Sequence, residues 1–233
     1  MNNAPRLLLL AGLMTATQAA EVAMPHLTLR HDRSGPLHEV ARLAVPFAAG
    51  QVRDLPLQAV TAAGAVLPTQ TRVITRHPDG SARRVMLSFP VELAPGQTLE
   101  LQCALAAAPA TPAPLAQVQG RQATLVTAAF RLRLDDDSVR IQSAADGTDQ
   151  AVLRAFGPAL TASQAPTLEV IENGPLVAWL RWRQDGADFS REVDVQVDSL
   201  GRIRLVQRLL RHLKGNAVAP DFGFELTAPG ATP

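Results

Sequence analysis

The chain has no tyrosine, a single lysine at Lys214 and a single cysteine at Cys103 in 233 residues. Each scarcity removes a class of chemistry. Without tyrosine there is no phenolic base, and aromatic residues at 4% leave few platforms for stacking on sugars or bases. One cysteine forbids an internal disulfide and would leave any zinc site to scattered histidines and carboxylates. Charge of one sign is lacking too: Lys+Arg 22 against Asp+Glu 21 gives a formal net charge of +1. No basic field draws the chain to nucleic acid. The sequence holds no glycine-rich phosphate loop, no Gly-x-Ser-x-Gly nucleophile turn and no His-Glu-x-x-His zinc helix. His38-Glu39 has no second histidine at the required step, and His26, His31 and His38 with Asp32 fit no recurring metal spacing. Neither a metal nor a cofactor is implied. What the chain does have is 47% hydrophobic residues, enough to fill one large core or two small ones.

The first residues place Arg6 before the apolar run Leu7 to Leu10, with small residues at Thr17 and Ala19. That order reads as a signal peptide over 1–19, cleaved after Ala19, and predicts export to the periplasm or the extracellular space. The run is shorter than the roughly 20 apolar residues that span a bilayer. No later stretch is apolar enough to span one, so no membrane span is expected once the leader is removed.

Beyond the leader, apolar residues recur at every second position and turn signals interrupt them at short intervals, which predicts an all-β chain of antiparallel strands. A first block of strands is expected over 39–45, 57–61, 66–76, 82–91 and 98–105, with turns at Asp79-Gly80 and Pro95-Gly96. The Ala- and Pro-rich stretch 108–116 reads as a linker between a first domain over 26–107 and a second over 117–233. Strands of the second block are expected over 123–134, 138–143, 167–172, 176–183, 189–197, 202–212 and 222–227. Val193, Val195 and Val197 alternate with Glu192, Asp194 and Gln196, one face buried and the other wet. In 202–212, Arg202, Arg204 and Arg208 share a face that could hold carboxylates through guanidinium forks or simply meet solvent. Trp179 and Trp182 fall on opposite faces of one strand, and Trp182, between Arg181 and Arg183, is the expected contact residue. Cys103, between Leu101 and Leu105, reads as a small buried hydrophobe.

The ordered series Val45-Pro46-Phe47-Ala48-Ala49-Gly50-Gln51-Val52-Arg53-Asp54, Leu67-Pro68-Thr69-Gln70 and Arg76-His77-Pro78-Asp79-Gly80-Ser81-Ala82-Arg83 resembles the N-terminal domain of the exo-rhamnogalacturonan lyase family. Glu172-Asn173-Gly174-Pro175-Leu176, then Trp179-Leu180-Arg181 and Leu205-Val206-Gln207-Arg208, extend the resemblance to the family's central β-sandwich. The resemblance implies a small RIFT-type β-barrel followed by an antiparallel β-sandwich. It also implies that the catalytic helical barrel of such lyases would have to come from elsewhere, so no catalytic residue carries over. The family's tryptophan after the Pro-Asp-Gly-Ser-x-Arg turn is replaced here by Arg84.

Together these readings lead to an exported, non-catalytic protein that binds acidic plant polysaccharide or oligosaccharide. The candidate ligand contacts are Arg83, Arg84, Arg181, Arg183 and Trp182, chosen for charge and position. Two other readings stay open: a structural module or truncated remnant that packs against a catalytic partner chain, and a complete lyase.

Overall fold

The structure is a computed structural model that describes residues 24–53, 57–106, 113–135, 138–157, 160, 164–212 and 221–228. The expected leader and residues 108–112 of the expected linker lie outside the described residues. Every regular element among the described residues is a β-strand, and every pairing is antiparallel, as the period-two patterning predicts.

The front half contains β1 (His26–Arg30), β2 (Leu37–Pro46), β3 (Leu57–Thr61), β4 (Val66–Leu67), β5 (Gln70–Arg76), β6 (Ala82–Leu93) and β7 (Thr98–Leu105). They form a four-stranded sheet, β1-β7-β3-β4, and a three-stranded sheet, β2-β6-β5. Between the two lie Val45, Phe47, Leu57, Val85, Leu87, Phe89 and Leu101, all nearly sealed from solvent. Burying each such side chain contributes about 1.5–3 kcal/mol. Cys103 is fully buried among them, and burial pushes its thiol up to about 11. The two sheets do not close into a barrel. The single strand expected over 66–76 instead turns a corner at Pro68, which has no N–H to continue the ladder. Thr69 holds that corner: its hydroxyl donates to Leu67 O at 2.8 Å and accepts from Ala59 N at 3.0 Å.

The back half contains β8 (Ala116–Gln119), β9 (Gln122–Val126), β10 (Phe130–Leu134), β11 (Ser138–Ser143), β12 (Asp149–Phe156), β13 (Thr167–Asn173), β14 (Val177–Asp185), β15 (Phe189–Asp198), β16 (Ile203–Arg211) and β17 (Gly223–Thr227). A six-stranded sheet, β17-β12-β11-β10-β9-β8, packs on a four-stranded one, β13-β14-β15-β16. Leu125, Leu132 and Leu134 from the first meet Ala178, Leu180, Trp182, Val193, Val195 and Val197 from the second. This is an antiparallel β-sandwich. Ala116, expected at the end of the linker, opens β8 and is buried in the sandwich core.

Three strands escape the sequence pattern: β1, β8 and β12. The strand expected over 123–134 is a hairpin whose turn contains neither glycine nor proline. Thr127 makes it with its side chain, accepting from Ala129 N at 3.3 Å and Phe130 N at 3.2 Å.

Candidate functional site

The stretches 45–54 and 76–83, and the stretches 67–70 and 172–176, come together in pairs. In the front half, the loop after β2 lies on the β5–β6 hairpin. Ser81 Oγ donates to Asp79 Oδ1 at 2.5 Å and accepts from Gly50 N at 2.9 Å, while His77 Nε2 sits 3.0 Å from Phe47 O. The Ser81 hydroxyl, and after it the Ser81 N–H, hold the Asp79 carboxyl below the usual carboxylate range. Gly80, at φ 82°, supplies the left-handed residue that this turn needs. His77 is therefore part of a turn.

The second pair joins the two halves. Gln70, the first residue of β5, inserts into the Glu172 to Val177 turn. Its Oε1 accepts from Leu176 N and Val177 N at 2.9 Å each, and its Nε2 donates to Glu172 Oε1 at 2.7 Å and Val177 O at 2.9 Å. Glycine at 174 makes room for this insertion, because a Cβ there would stand 2.4 Å from the Gln70 amide and would have to displace it. Glu172, its side chain 3% exposed, also takes Arg42 Nη2 at 2.6 Å and Arg72 Nε at 3.2 Å. Arg72 and Arg181 both lie over the Trp179 ring, at 5.3 and 5.9 Å from its centre. Asn173 closes the turn from the other side by pairing both amide atoms with the backbone of Ala116.

Beyond this junction, the outer face of β14, β15 and β16 is a lattice of ion pairs. Cross-strand register sets Arg181 beside Asp194 and Arg183 beside Glu192, which in turn opposes Arg208. Arg181 Nε donates to Asp194 at 2.8 Å, Arg208 bonds the second oxygen of the same carboxylate, and Arg183 reaches Glu192 at 3.0 Å and Asp185 at 2.9 Å. Burial alone would raise Asp194, but the hydrogen bonds and charges of Arg181 and Arg208 outweigh it and hold this carboxyl below its usual range.

At the end of this lattice Ser190 donates to Asp185, and its hydroxyl lies 2.7 Å from His212 Nε2. The Ser190 hydrogen bond is the main reason that Asp185 is held low. The residue types are those of a hydrolase triad, but the order is wrong. The serine stands between the acid and the histidine, where a nucleophile needs the histidine in the middle. Ser190 is also fully buried. His212 is isolated in the sequence, and the hairpin at Asp185 is what brings its partners to it.

The sequence-predicted contacts therefore scatter. Trp182 is 6% exposed and part of the sandwich core, paired across the strands with Val193; it is removed from the contact set. The outward tryptophan is Trp179. Arg181 and Arg183 are occupied by the chain's own carboxylates. Arg83 and Arg84 are exposed on β6, where Arg84 lies opposite Pro46. That is four residues along β2 from Arg42, or about 13 Å, so they join neither the lattice nor the junction. Among the described residues no group of three His, Cys, Asp or Glu side chains could hold a metal ion. His31 is buried against Gly35 O at 2.6 Å, and exposed His38 lies 3.4 Å from Glu92.

Where the halves meet there is a groove of about 290 Å³. Its floor is Val40, Val177, Val197 and Ile203, and Arg42, Gln196, Asp198, Arg202 and Arg204 stand around it. Arg42 is engaged with Glu172 and Gln196, and Arg202 with Glu39 at 2.8 Å. Arg204 is exposed, and its cross-strand neighbour is the amide of Gln196, so no carboxylate among the described residues compensates it. An apolar floor with convergent polar groups at a junction of two halves is the usual form of a small-ligand site.

No family model matches the chain, and no curated protein matches it.

Proposed function

We propose that this is an exported, non-catalytic protein that binds acidic polysaccharide of the rhamnogalacturonan type. The observation that carries the proposal is the groove between the halves, where Arg204 stands beside Gln196 over an apolar floor and makes no ion pair among the described residues, while the groove's one carboxylate, Asp198, accepts from the backbone N–H groups of Leu200 and Arg202. A guanidinium presents a fork that matches a uronate carboxylate, and the amide can meet sugar hydroxyls. The resemblance in the Pro-Asp-Gly-Ser and Glu-Asn-Gly-Pro motifs supports the choice of glycan, and the leader pattern supports export.

Two features favour binding over turnover. The central carboxylates, Glu172 and Asp194, are each held by two arginines, so neither is poised to take a proton from a substrate carbon. The serine and histidine in contact, Ser190 and His212, are arranged in the wrong order for nucleophilic attack.

Calorimetric titration of the mature chain with rhamnogalacturonan oligosaccharides tests the reading. Saturable heat that weakens in Arg204→Ala is expected. Heat that continues with time would reveal turnover, and a flat trace from folded protein would favour the structural alternative.

A further inference from the structure

The outer face of the six-stranded sheet carries a second groove, of about 260 Å³, far from the Glu172 junction in chain order and built on different strands. Its lining is amide and guanidinium: Gln117 and Gln119 from β8, Gln122 from β9, Arg131 and Arg133 from β10 and Gln142 from β11. Alternation puts all of these on one side of the sheet, because Ala116, Leu125, Leu132 and Leu134 point the other way into the core.

Register turns the face into ordered rows. Gln117 stands opposite Thr124, Thr124 opposite Arg133, and Arg133 opposite Arg140. One step along, Arg131 stands opposite Gln142. Strands lie about 4.8 Å apart, so each row is a continuous track of polar side chains. Arg140 is compensated by Asp135 at 3.6 Å and Asp149 at 3.4 Å. Among the described residues Arg131 and Arg133 have no carboxylate partner, and no acidic residue lines the groove. Arg133 stands directly opposite Arg140, so its neighbour on β11 is a like charge and the carboxylates there, Asp135 and Asp149, pair with Arg140.

We propose that this face is a second binding site, for a hydroxyl-rich anion: an oligosaccharide bearing carboxylates. The two guanidiniums, on residues two apart and so about 7 Å apart along the strand, take the carboxylates. The glutamine amides, each both donor and acceptor, take the ring hydroxyls. The site does not depend on the groove between the halves, and a chain with both would hold a long acidic glycan at two points.

The test is calorimetric titration of the full mature chain with trigalacturonate, with neutral galactotriose and with sodium sulfate as separate probes. In a chain carrying Arg204→Ala, trigalacturonate is expected to bind saturably, at one trimer per chain, and more weakly as salt rises. Adding Arg131→Ala and Arg133→Ala should weaken that binding by roughly tenfold to a hundredfold. The urea midpoint of each variant shows that it is folded. No binding by the folded Arg204→Ala chain overturns the second site, and undiminished binding by the triple variant overturns its location. Equal binding of galactotriose removes the role of the carboxylates, and equal binding of sulfate reduces the ligand to a simple anion. If Arg204→Ala leaves the stoichiometry of the wild-type chain unaltered, the groove between the halves fails while this site stands.

Discussion

On the outer face of the four-stranded sheet of the sandwich, Arg181 and Arg208 hold Asp194 and Arg183 holds Glu192 and Asp185. On the outer face of the six-stranded sheet, Arg131 and Arg133 hold the same kind of alternating position, but Arg131 stands opposite Gln142 and Val126 and Arg133 opposite Arg140 and Thr124. The contrast lies in what the next strand offers. β15 brings Glu192 and Asp194 to the arginines of β14, whereas β9 brings Thr124 and β11 brings Arg140 and Gln142 to those of β10. An arginine's role is set by its cross-strand neighbour: a partly buried pair is a structural element, while a guanidinium with no carboxylate opposite it can receive an anion from outside.

The largest break in that comparison comes from removing a buried carboxylate. Glu172→Ala leaves Arg42 and Arg72 facing each other without compensation, and urea unfolding should show a loss of about 3–5 kcal/mol. Asp194→Asn should lose about 1.5–3 kcal/mol at neutral pH, because two charge-assisted bonds are weakened. The pH dependence sharpens this. A carboxyl held low in the folded chain contributes stability above its unfolded value of about 3.9, and that contribution is lost as pH falls through the lower native value. The stability difference between wild type and Asp194→Asn should therefore shrink below about pH 4. A difference that stays constant through that range would contradict the pairing. Gly174→Ala should cost about 1–3 kcal/mol, since its new Cβ must displace a Gln70 amide held by four hydrogen bonds. Thermal unfolding of Gly174→Ala measures it.

Much of the fold was legible because alternation is local. Val193, Val195 and Val197 announce the buried face of β15, and Asp79-Gly80 announces a hairpin. The Thr127 turn and the corner at Pro68 were not, since the turn uses a side chain in place of glycine and the corner is flanked on both sides by residues of strand character. The candidate contacts fared worse for a physical reason. Which tryptophan faces outward depends on register: Trp182 pairs with Val193 and so shares the buried face, and that pairing is a property of two strands. Arg181 and Arg183 are candidates by charge and position, but their carboxylates Asp194 and Glu192 lie on β15, across a hairpin whose register the sequence leaves open. Glu172 and Gln70 stand in the Glu172-Asn173-Gly174-Pro175 and Leu67-Pro68-Thr69-Gln70 stretches, yet their meeting spans about a hundred residues of chain and carries no local signal.

The most direct measurement of the central distinction is the urea midpoint of Arg131→Ala/Arg133→Ala beside that of Arg181→Ala. Arg181→Ala should lower the midpoint, because it leaves buried Asp194 with Arg208 as its one remaining arginine partner. The double variant should leave it within about 0.5 kcal/mol of wild type or raise it, because it removes a like-charge pair and no ion pair. A double variant destabilised as much as Arg181→Ala would show that Arg131 and Arg133 hold the sheet together, and the contrast between the two faces would collapse.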